Sequence, residues 1–258
     1  MGDPFSHVKL ADGTVVNFIK GSGVQVKQEK DGSYSIFNGN STTTITGSQS
    51  GSNINIVGGK GVVFNGNGEG NDNVKLINTE KARVNGNNGN DNISVFGGKD
   101  NNVNGGNGND LIRNYSNNAS IDGGNGNDWI RNAGNNSFVK GGNGNDAIFS
   151  RGMNNNVQGG WGNDRMSVFG NGNRVDGGYG NDVIFSRGNY NKVEGGWGND
   201  RISSFGFGNQ NFGGPGFDNV NGNNSYNFGP HQNHGPHHHH GPHNHHGPHH
   251  HRPHGFFG

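Results

Sequence analysis

An aspartate that ends a glycine-rich turn recurs at a nearly constant interval, and this repeat constrains the fold more than any other feature. The successive spacings are 19, 19 and then 18 residues six times. The nine residues concerned are Asp72, Asp91, Asp110, Asp128, Asp146, Asp164, Asp182, Asp200 and Asp218. A fixed period of this length is typical of repeat architectures, in which each unit buries its apolar face only against its neighbours. The spacing therefore predicts a solenoid with about 18 residues per turn.

An aliphatic residue recurs every nine residues within this unit. The regular run is Ile112, Ile121, Ile130, Val139, Ile148, Val157, Met166, Val175, Ile184, Val193 and Ile202. The register continues toward the N-terminus, with small slips, through Val103, Ile93, Val84, Val74, Val63, Ile54, Ile45 and Ile36. Two inward positions per coil indicate two short strands per coil, so we expect an all-β, right-handed parallel β-solenoid, or β-roll, over residues 36–221. Ten coils spaced by roughly 4.8 Å would form a rod of roughly 48 Å.

Composition alone would favour disorder, because only 26% of the residues are hydrophobic and 53 of the 258 are glycine. Disordered chains usually also carry excess charge, whereas the formal net charge here is zero. The phased repeat therefore decides in favour of order for the repeat region. The absence of cysteine excludes a disulfide framework and a thiolate metal site.

Both ends of the sequence lie outside the repeat. Residues 1–35 contain Asp12-Gly13 and Asp31-Gly32, each between alternating apolar residues, which predicts two hairpins that cap the first coil. In residues 222–258 the period gives way to Asn, Gly, Pro and His, with 13 of the 14 histidines between His231 and His254. We expect this segment to be a disordered, His-rich tail.

The turn that ends in aspartate carries the chemistry. Seven turns match Gly-Gly-x-Gly-x-Asp, at residues 105–110, 123–128, 141–146, 159–164, 177–182, 195–200 and 213–218. Two earlier turns, 67–72 and 86–91, each lack one glycine of the pattern. Glycine permits the positive φ of a tight turn and leaves carbonyl oxygens accessible, while Asp supplies the hard anionic oxygen that Ca²⁺ prefers.

Aspartate also caps turns without any metal, which is the alternative interpretation of the row. Carboxylates stacked roughly 5 Å apart would, however, repel one another, and their pKa values would rise. Divalent cations would remove that repulsion. The sequence therefore predicts a calcium-binding row over residues 67–218.

The nine-residue unit of turn and strand resembles the repeat of the RTX, or hemolysin-type, calcium-binding family, over roughly residues 66–220. The resemblance implies Ca²⁺ ions between equivalent turns of successive coils, bound by Asp side chains and backbone carbonyls, with at most eight ions between Asp72 and Asp218. It also implies an extracellular or cell-surface protein exported by type I secretion. The N-terminal residues lack the basic and apolar regions of a cleaved signal peptide, in agreement with that route.

The chain departs from that family on the other edge of the coil. Family members usually carry Asp on both edges, whereas the equivalent positions here are Ala119, Ser137, Asn155, Asn173, Asn191 and Asn209. None of them is charged. We expect these turns to stack through Asn side-chain and backbone hydrogen bonds, giving one calcium edge and one metal-free edge.

The sequence lacks the motifs of the enzymes that often accompany such repeats. It has no His-Glu-x-x-His and no Gly-x-Ser-x-Gly, and His7 is the only imidazole outside the tail. We therefore predict a non-enzymatic structural, surface-layer or adhesive component that folds on binding Ca²⁺. An accessory module of a toxin or enzyme is one alternative.

The partners expected from the sequence are few. The chain has no apolar run of the roughly 18 residues that a membrane span needs. We expect no nucleic acid, and we expect Arg165 and Arg201 to balance the aspartate row. Phe169 and Phe205 lie at equivalent positions and are candidates for self-association or for contact with a cell-surface or matrix partner.

The His-rich tail is a second candidate metal site. Its clusters are suited to Ni²⁺, Zn²⁺ or Cu²⁺, and they comprise His237, His238, His239, His240, His249, His250 and His251. A protein that sequesters such metals is therefore the other alternative. Because carboxylates ordinarily ionise at pH ~4 and imidazole at pH ~6.5, we expect mild acid to release metal from the tail but not calcium from the turns.

Overall fold

The computed structural model describes residues 5–19, 23–37, 43–222 and 225–226, which form two β-sheets and no helix. Strands are numbered in chain order. The first sheet contains, in spatial order, β1 (Phe5–Lys9), β2 (Val15–Ile19), β5 (Thr43–Thr46), β7 (Val63–Asn65), β9 (Arg83–Asn88), β11 (Asn102–Asn107), β13 (Ser120–Asn125), β15 (Phe138–Asn143), β17 (Asn156–Trp161), β19 (Arg174–Tyr179), β21 (Lys192–Trp197), β23 (Gln210–Phe212) and β25 (Ser225–Tyr226). The second contains β3 (Gln25–Gln28), β4 (Tyr34–Phe37), β6 (Asn53–Val57), β8 (Asn73–Ile77), β10 (Asn92–Phe96), β12 (Leu111–Asn114), β14 (Trp129–Asn132), β16 (Ala147–Arg151), β18 (Arg165–Phe169), β20 (Val183–Arg187), β22 (Arg201–Phe205) and β24 (Asn219–Gly222).

The chain passes alternately from one sheet to the other, so each coil adds one strand to each sheet. Neighbouring strands within the solenoid are parallel, and Val103 of β11 lies beside Ile121 of β13, 18 residues further along. The first coils are longer, since Ile54 of β6 pairs with Val74 of β8. The predicted all-β parallel solenoid of about ten turns, with roughly 18 residues per turn, is confirmed.

The core is the narrow layer between the two sheets. All eleven aliphatic residues of the nine-residue run point inward and are at most 2% exposed. The prediction was wrong at Val63, which is only half-buried, because its neighbour Phe64 pairs with Val84 and fills the core instead. Since side chains of a strand alternate between its faces, a slip of one residue exchanges the inward and outward positions.

Two antiparallel hairpins precede the coils, as the two Asp-Gly pairs predicted. Strands β1 and β2 form the first hairpin, and β3 and β4 form the second. Gly13 and Gly32 adopt φ angles of 94° and 85°, which residues other than glycine adopt only with strain. The first hairpin joins the first sheet through β5, and the second joins the second sheet through β6. The hairpins therefore extend both sheets at the N-terminal end.

Most of the predicted His-rich tail lies outside the described residues, which end with Gly222 and the short strand β25. The part of the chain that is described contains no helix with the length and apolar character of a membrane span.

Candidate functional site

The aspartate row lies inside the solenoid, where the chain passes from the first sheet to the second. We call this side of the solenoid the aspartate edge. Eight of the nine aspartates are at most 2% exposed, and Asp218 in the last coil is partly buried. Each Asp side chain points inward because it is two residues before an inward aliphatic residue on the same strand face, as Asp110 is before Ile112.

One carboxylate oxygen of each aspartate connects successive coils. The backbone N–H of Asp110 donates to Oδ1 of Asp128 at 2.8 Å, and the N–H of Asp128 donates to Oδ1 of Asp146 at 2.8 Å. The same bond joins every pair of neighbouring aspartates from Asp72 to Asp218, at 2.7–2.9 Å. This ladder fixes the register of the turns.

The other oxygen, Oδ2, is buried and has no hydrogen-bond partner in the eight aspartates from Asp72 to Asp200. It lies next to the glycine that opens its own turn. A Cβ placed on Gly141, for example, would overlap both Asp146 Oδ2 and the carbonyl oxygen of Gly159 in the next coil. Glycine is therefore required here for space, since this position has no positive φ.

The same convergence of two oxygens occurs in eight successive turns, at Gly66, Gly86, Gly105, Gly123, Gly141, Gly159, Gly177 and Gly195. An ionised carboxylate and a carbonyl group both only accept hydrogen bonds. The two oxygens therefore cannot satisfy each other, and they need a hydrogen-bond donor or a cation.

Burial raises the pKa of these carboxyls, because the charged form loses its hydration. The pKa rises to about 7 for Asp91, Asp128, Asp164 and Asp200. It rises to about 6 for Asp72, Asp146 and Asp182. For Asp110 and Asp218 it is also raised. The backbone N–H bond to Oδ1 opposes the rise.

The rise in pKa confirms the sequence-based prediction but changes its main cause. Loss of hydration contributes most, and repulsion by neighbouring carboxylates adds a smaller part, as at Asp128 beside Asp146 and Asp110. The expectation that mild acid leaves calcium binding undisturbed assumed ordinary carboxyl pKa values. That expectation has to be revised, because protons would compete for these oxygens at about pH 6–7.

The opposite side of the solenoid, where the chain passes from the second sheet to the first, is the asparagine edge. Asn155, Asn173, Asn191 and Asn209 are buried there, and the N–H of Asn155 donates to Oδ1 of Asn173 at 2.8 Å. The second side-chain atom is a donor on this edge. Asn155 Nδ2 donates to the carbonyl of Gly134 at 3.0 Å, and Asn173 Nδ2 to that of Gly152 at 3.1 Å. The predicted stacking through Asn side-chain and backbone hydrogen bonds is confirmed.

The aspartate ladder ends at residues that the sequence analysis missed. Ser52 occupies the place of Asp in the turn before Asp72, and its N–H donates to Asp72 Oδ1 at 2.6 Å. Its hydroxyl lies 2.8 Å from the hydroxyl of Thr14 in the first hairpin. The segment Gly47-Ser48-Gln49-Ser50-Gly51-Ser52 could have been found by aligning it with the later turns at the same register. The first hairpin thus closes the ladder with polar groups.

Two further sequence-based interpretations have different outcomes. Arg165 and Arg201 do not balance the aspartate row, because both are exposed on the outer face of the second sheet and neither forms an ion pair. The histidine clusters 237–240 and 249–251 lie outside the described residues. Among the described residues, no three carboxylate or imidazole groups converge on one point. A cation in the row would therefore be bound by carboxylates in pairs at most, with carbonyl oxygens completing its shell.

Comparison of the chain with family models, with curated proteins and with solved structures gives no match. The resemblance to the RTX repeat therefore rests on the motif residues alone.

Proposed function

We propose that the protein is a calcium-binding β-solenoid whose aspartate edge takes up Ca²⁺ between successive coils. The observation that carries this proposal is the row of eight buried Oδ2 atoms without partners, each beside a carbonyl oxygen of the next coil. A cation between them would satisfy both acceptors. All available ligands are carboxylate and carbonyl oxygens, which suit Ca²⁺ rather than the metals that prefer imidazole or thiolate.

A single ion would be held by residues of two neighbouring turns. Asp146 and Asp164, with backbone carbonyls such as that of Gly159, are one such set, and the row offers eight at most. The ion would supply the positive charge that allows the carboxylates to ionise in a buried place. Because only aligned coils bring these oxygens together, we expect binding and folding to be coupled.

The expected affinity agrees with a role outside the cell. Sites of this kind in extracellular modules bind Ca²⁺ with dissociation constants of about 10⁻⁴ to 10⁻³ M, so they fill only where calcium is abundant. The proposed role is therefore a non-enzymatic structural, surface-layer or adhesive one outside the cell.

Terbium provides a direct test, because Tb³⁺ takes oxygen ligands like Ca²⁺ and emits when a nearby indole absorbs. Trp161 and Trp197 lie within the turns 159–164 and 195–200. We expect sensitised Tb³⁺ emission that Ca²⁺ displaces, and weaker emission from Asp164→Asn. The matched control is Asn173→Ala on the asparagine edge, which should leave the number of bound ions unchanged. Absence of emission together with absence of calcium binding heat would contradict the proposal, as would a stoichiometry well above eight.

Binding of Ni²⁺, Zn²⁺ or Cu²⁺ by the His-rich tail stays a prediction from the sequence, and with it the alternative of a metal-sequestering protein. The test compares Ni²⁺ titrations of the full chain and of a chain ending at residue 229. Loss of Ni²⁺ binding with retention of Ca²⁺ binding would assign the two metals to different parts of the chain.

A further inference from the structure

Over most of its length, from β8 to β22, the strands of the second sheet carry charged side chains of positive sign only. The outer face of this stretch presents Lys75, Arg113, Arg131, Arg151, Arg165, Arg187 and Arg201. None of the eight strands of this stretch contains Asp or Glu. The six consecutive strands from β12 to β22 each contribute one arginine. We call this surface the arginine face.

The first sheet is different, because its outer charges compensate one another. Lys140 pairs with Asp122 at 3.3 Å, and Arg174 pairs with Glu194 at 3.2 Å. None of the five ion pairs among the described residues includes a cation of the arginine face. The chain as a whole has no net charge, so the difference in charge between the two faces arises from the positions of the charged residues.

Aromatic rings support the guanidinium groups of this face. Arg113 lies over the ring of Trp129 at 5.6 Å, and Arg131 lies at 5.7 Å from the rings of both Tyr115 and Phe149. Such contacts attract the cation to the face of the ring and limit the motion of the side chain. The rings thus hold the charges in place without neutralising them.

The phenylalanine rings of this face form a row of tilted contacts. Phe149, Phe169, Phe185 and Phe205 follow one another with centroids 5.3, 5.6 and 5.7 Å apart and with tilts of 36° to 46°. Single-stranded nucleic acids are bound by aromatic faces that are open for stacking with bases. Tilted rings in mutual contact do not provide such a platform, so the face is better suited to a polyanion without bases.

A groove lies between two of the arginines. It has a volume of about 630 Å³, and its lining includes Phe149, Phe169, Arg151 and Arg187 together with three glycines. Arg151 and Arg187 are two coils apart, which is roughly 9.6 Å along the solenoid at the usual strand spacing. The groove therefore offers two cationic ends with an apolar centre.

We propose that the arginine face binds a linear acidic polysaccharide through the carboxylates of its uronate units. Arg151 and Arg187 occupy equivalent positions two coils apart, with Phe169 between them, so their charges are roughly 9.6 Å apart along the axis, which is of the order of the length of two linked hexuronate units. The planar guanidinium matches a carboxylate with two hydrogen bonds. This binding depends on the fold and goes beyond calcium binding.

The test is calorimetric titration with a galacturonic acid hexamer, which is too short to gel, at fixed free Ca²⁺ and low ionic strength. We expect binding that weakens as salt screens the charges. Replacing Arg151→Gln or Arg187→Gln should each lower the affinity by roughly tenfold, the effect of one lost charge-assisted interaction. Lys140→Gln on the first sheet is the matched control and should leave the affinity unchanged.

Three outcomes would overturn the proposal. They are no binding of the hexamer, equal binding of its methyl ester, and tighter binding of an oligothymidylate of the same charge, which would point to nucleic acid instead. The calcium stoichiometry and circular dichroism of Arg151→Gln should equal those of the wild type. Failure of this proposal would therefore be distinguishable from failure of the calcium proposal, which concerns the interior of the coil.

Discussion

The two edges of the solenoid connect successive coils by hydrogen bonds in different ways. On both, a buried side-chain Oδ1 accepts the N–H of the preceding coil, at 2.8 Å for Asp146 on one edge and for Asn173 on the other. They differ in the second atom. Asn155 completes its bonding with a donor, Nδ2, whereas Asp146 presents an acceptor, Oδ2, without a partner. One edge is complete by itself, whereas the other leaves a buried acceptor unsatisfied in each turn from Asp72 to Asp200.

The unpaired carboxylates lower the stability of the ion-free protein, and this loss can be compared with the total stability of a domain. One unit of pKa corresponds to about 1.4 kcal/mol, so raising the pKa of Asp146 from 3.8 to about 6 opposes its ionised, ion-free form by on the order of 3 kcal/mol. Several such carboxylates together are comparable with the total stability of a domain, roughly 5–15 kcal/mol. The proposed dependence on calcium would therefore be a property of the aspartate edge rather than of the solenoid fold.

Removal of calcium should produce the largest difference between the two edges. With a chelator at neutral pH, we expect loss of most of the β signal in circular dichroism, because the ionised row opposes stacking of the coils. Hydrogen exchange at intermediate calcium concentrations should show the turns around Asp146 opening before those around Asn155. Full protection of both edges in chelator would contradict the proposed division between them.

Acid should stabilise the calcium-free protein in part, because protons neutralise the buried carboxylates as calcium would. Each folded-state pKa lies above the ordinary value near 4, so the folded state binds more protons between about pH 4 and pH 7. The stability of the calcium-free protein should therefore be greatest at the acidic end of this window and decline as the pH rises toward 7. Urea unfolding in chelator at about pH 4.5 and 7.5 measures this change.

The asparagine edge provides the contrast in that experiment, since amides do not titrate. With calcium present, acid should have the opposite effect, because protons compete with Ca²⁺ for Oδ2. The affinity for Ca²⁺ should therefore fall as the pH is lowered from about 7.5 to 5.5. A calcium affinity that is constant over this range would argue that the row does not bind the ion through these carboxylates.

A reciprocal exchange of side chains sharpens the comparison at single positions. Asp146→Asn replaces the unpaired Oδ2 by a donor near the carbonyl of Gly159, and should stabilise the calcium-free protein by on the order of 3 kcal/mol at neutral pH. It should also weaken the two adjacent calcium sites. Asn155→Asp places a carboxylate against the carbonyl of Gly134, and should destabilise the protein without adding a calcium site. Denaturant unfolding and calorimetric titration of both variants measure these effects.

Much of this arrangement follows from the sequence, because phase and residue type were sufficient for it. The nine-residue period placed Ile112 and Ile121 in the core, and the Asp and Asn series identified the two edges. Val63 was misplaced because in the irregular first coils the period alone does not fix the register within one residue.

The other features of the site could be recognised only from the three-dimensional structure. Ser52 and Thr14 are 38 residues apart, and nothing in either local sequence indicates that they meet at the end of the aspartate ladder. The positions of Arg165 and Arg201 next to Asp164 and Asp200 suggested compensation of charge. In a strand, however, neighbouring residues point to opposite faces, so the arginines face solvent while the aspartates face the core. Adjacency in sequence was thus misleading for these pairs.

The smallest expected effect concerns the outer surface of the aspartate edge, where Tyr179 stacks between Trp161 at 4.4 Å and Trp197 at 6.3 Å. Earlier coils carry an asparagine ladder at this position, with Asn143 Nδ2 donating to Asn125 Oδ1 at 2.6 Å. Aromatic pairs contribute about 0.5–1.5 kcal/mol beyond their buried area. Tyr179→Asn removes two stacks and gains no asparagine partner, so we expect a loss of roughly 1–2 kcal/mol in the free energy of unfolding.

This loss should not depend on calcium if the outer ladder and the inner row act independently. Tyr179 lies on the surface, whereas the carboxylates of the same turns point inward, so the ion would not contact the ring. Denaturant unfolding of Tyr179→Asn and wild type at two calcium concentrations, both high enough to maintain the fold, measures the loss under each condition. Equal losses would show that the edge has one stabilising element that needs no ion. A loss that grows as calcium falls would mean that the aromatic stack helps to align the turns for binding, because the variant would then lose stability and calcium affinity together.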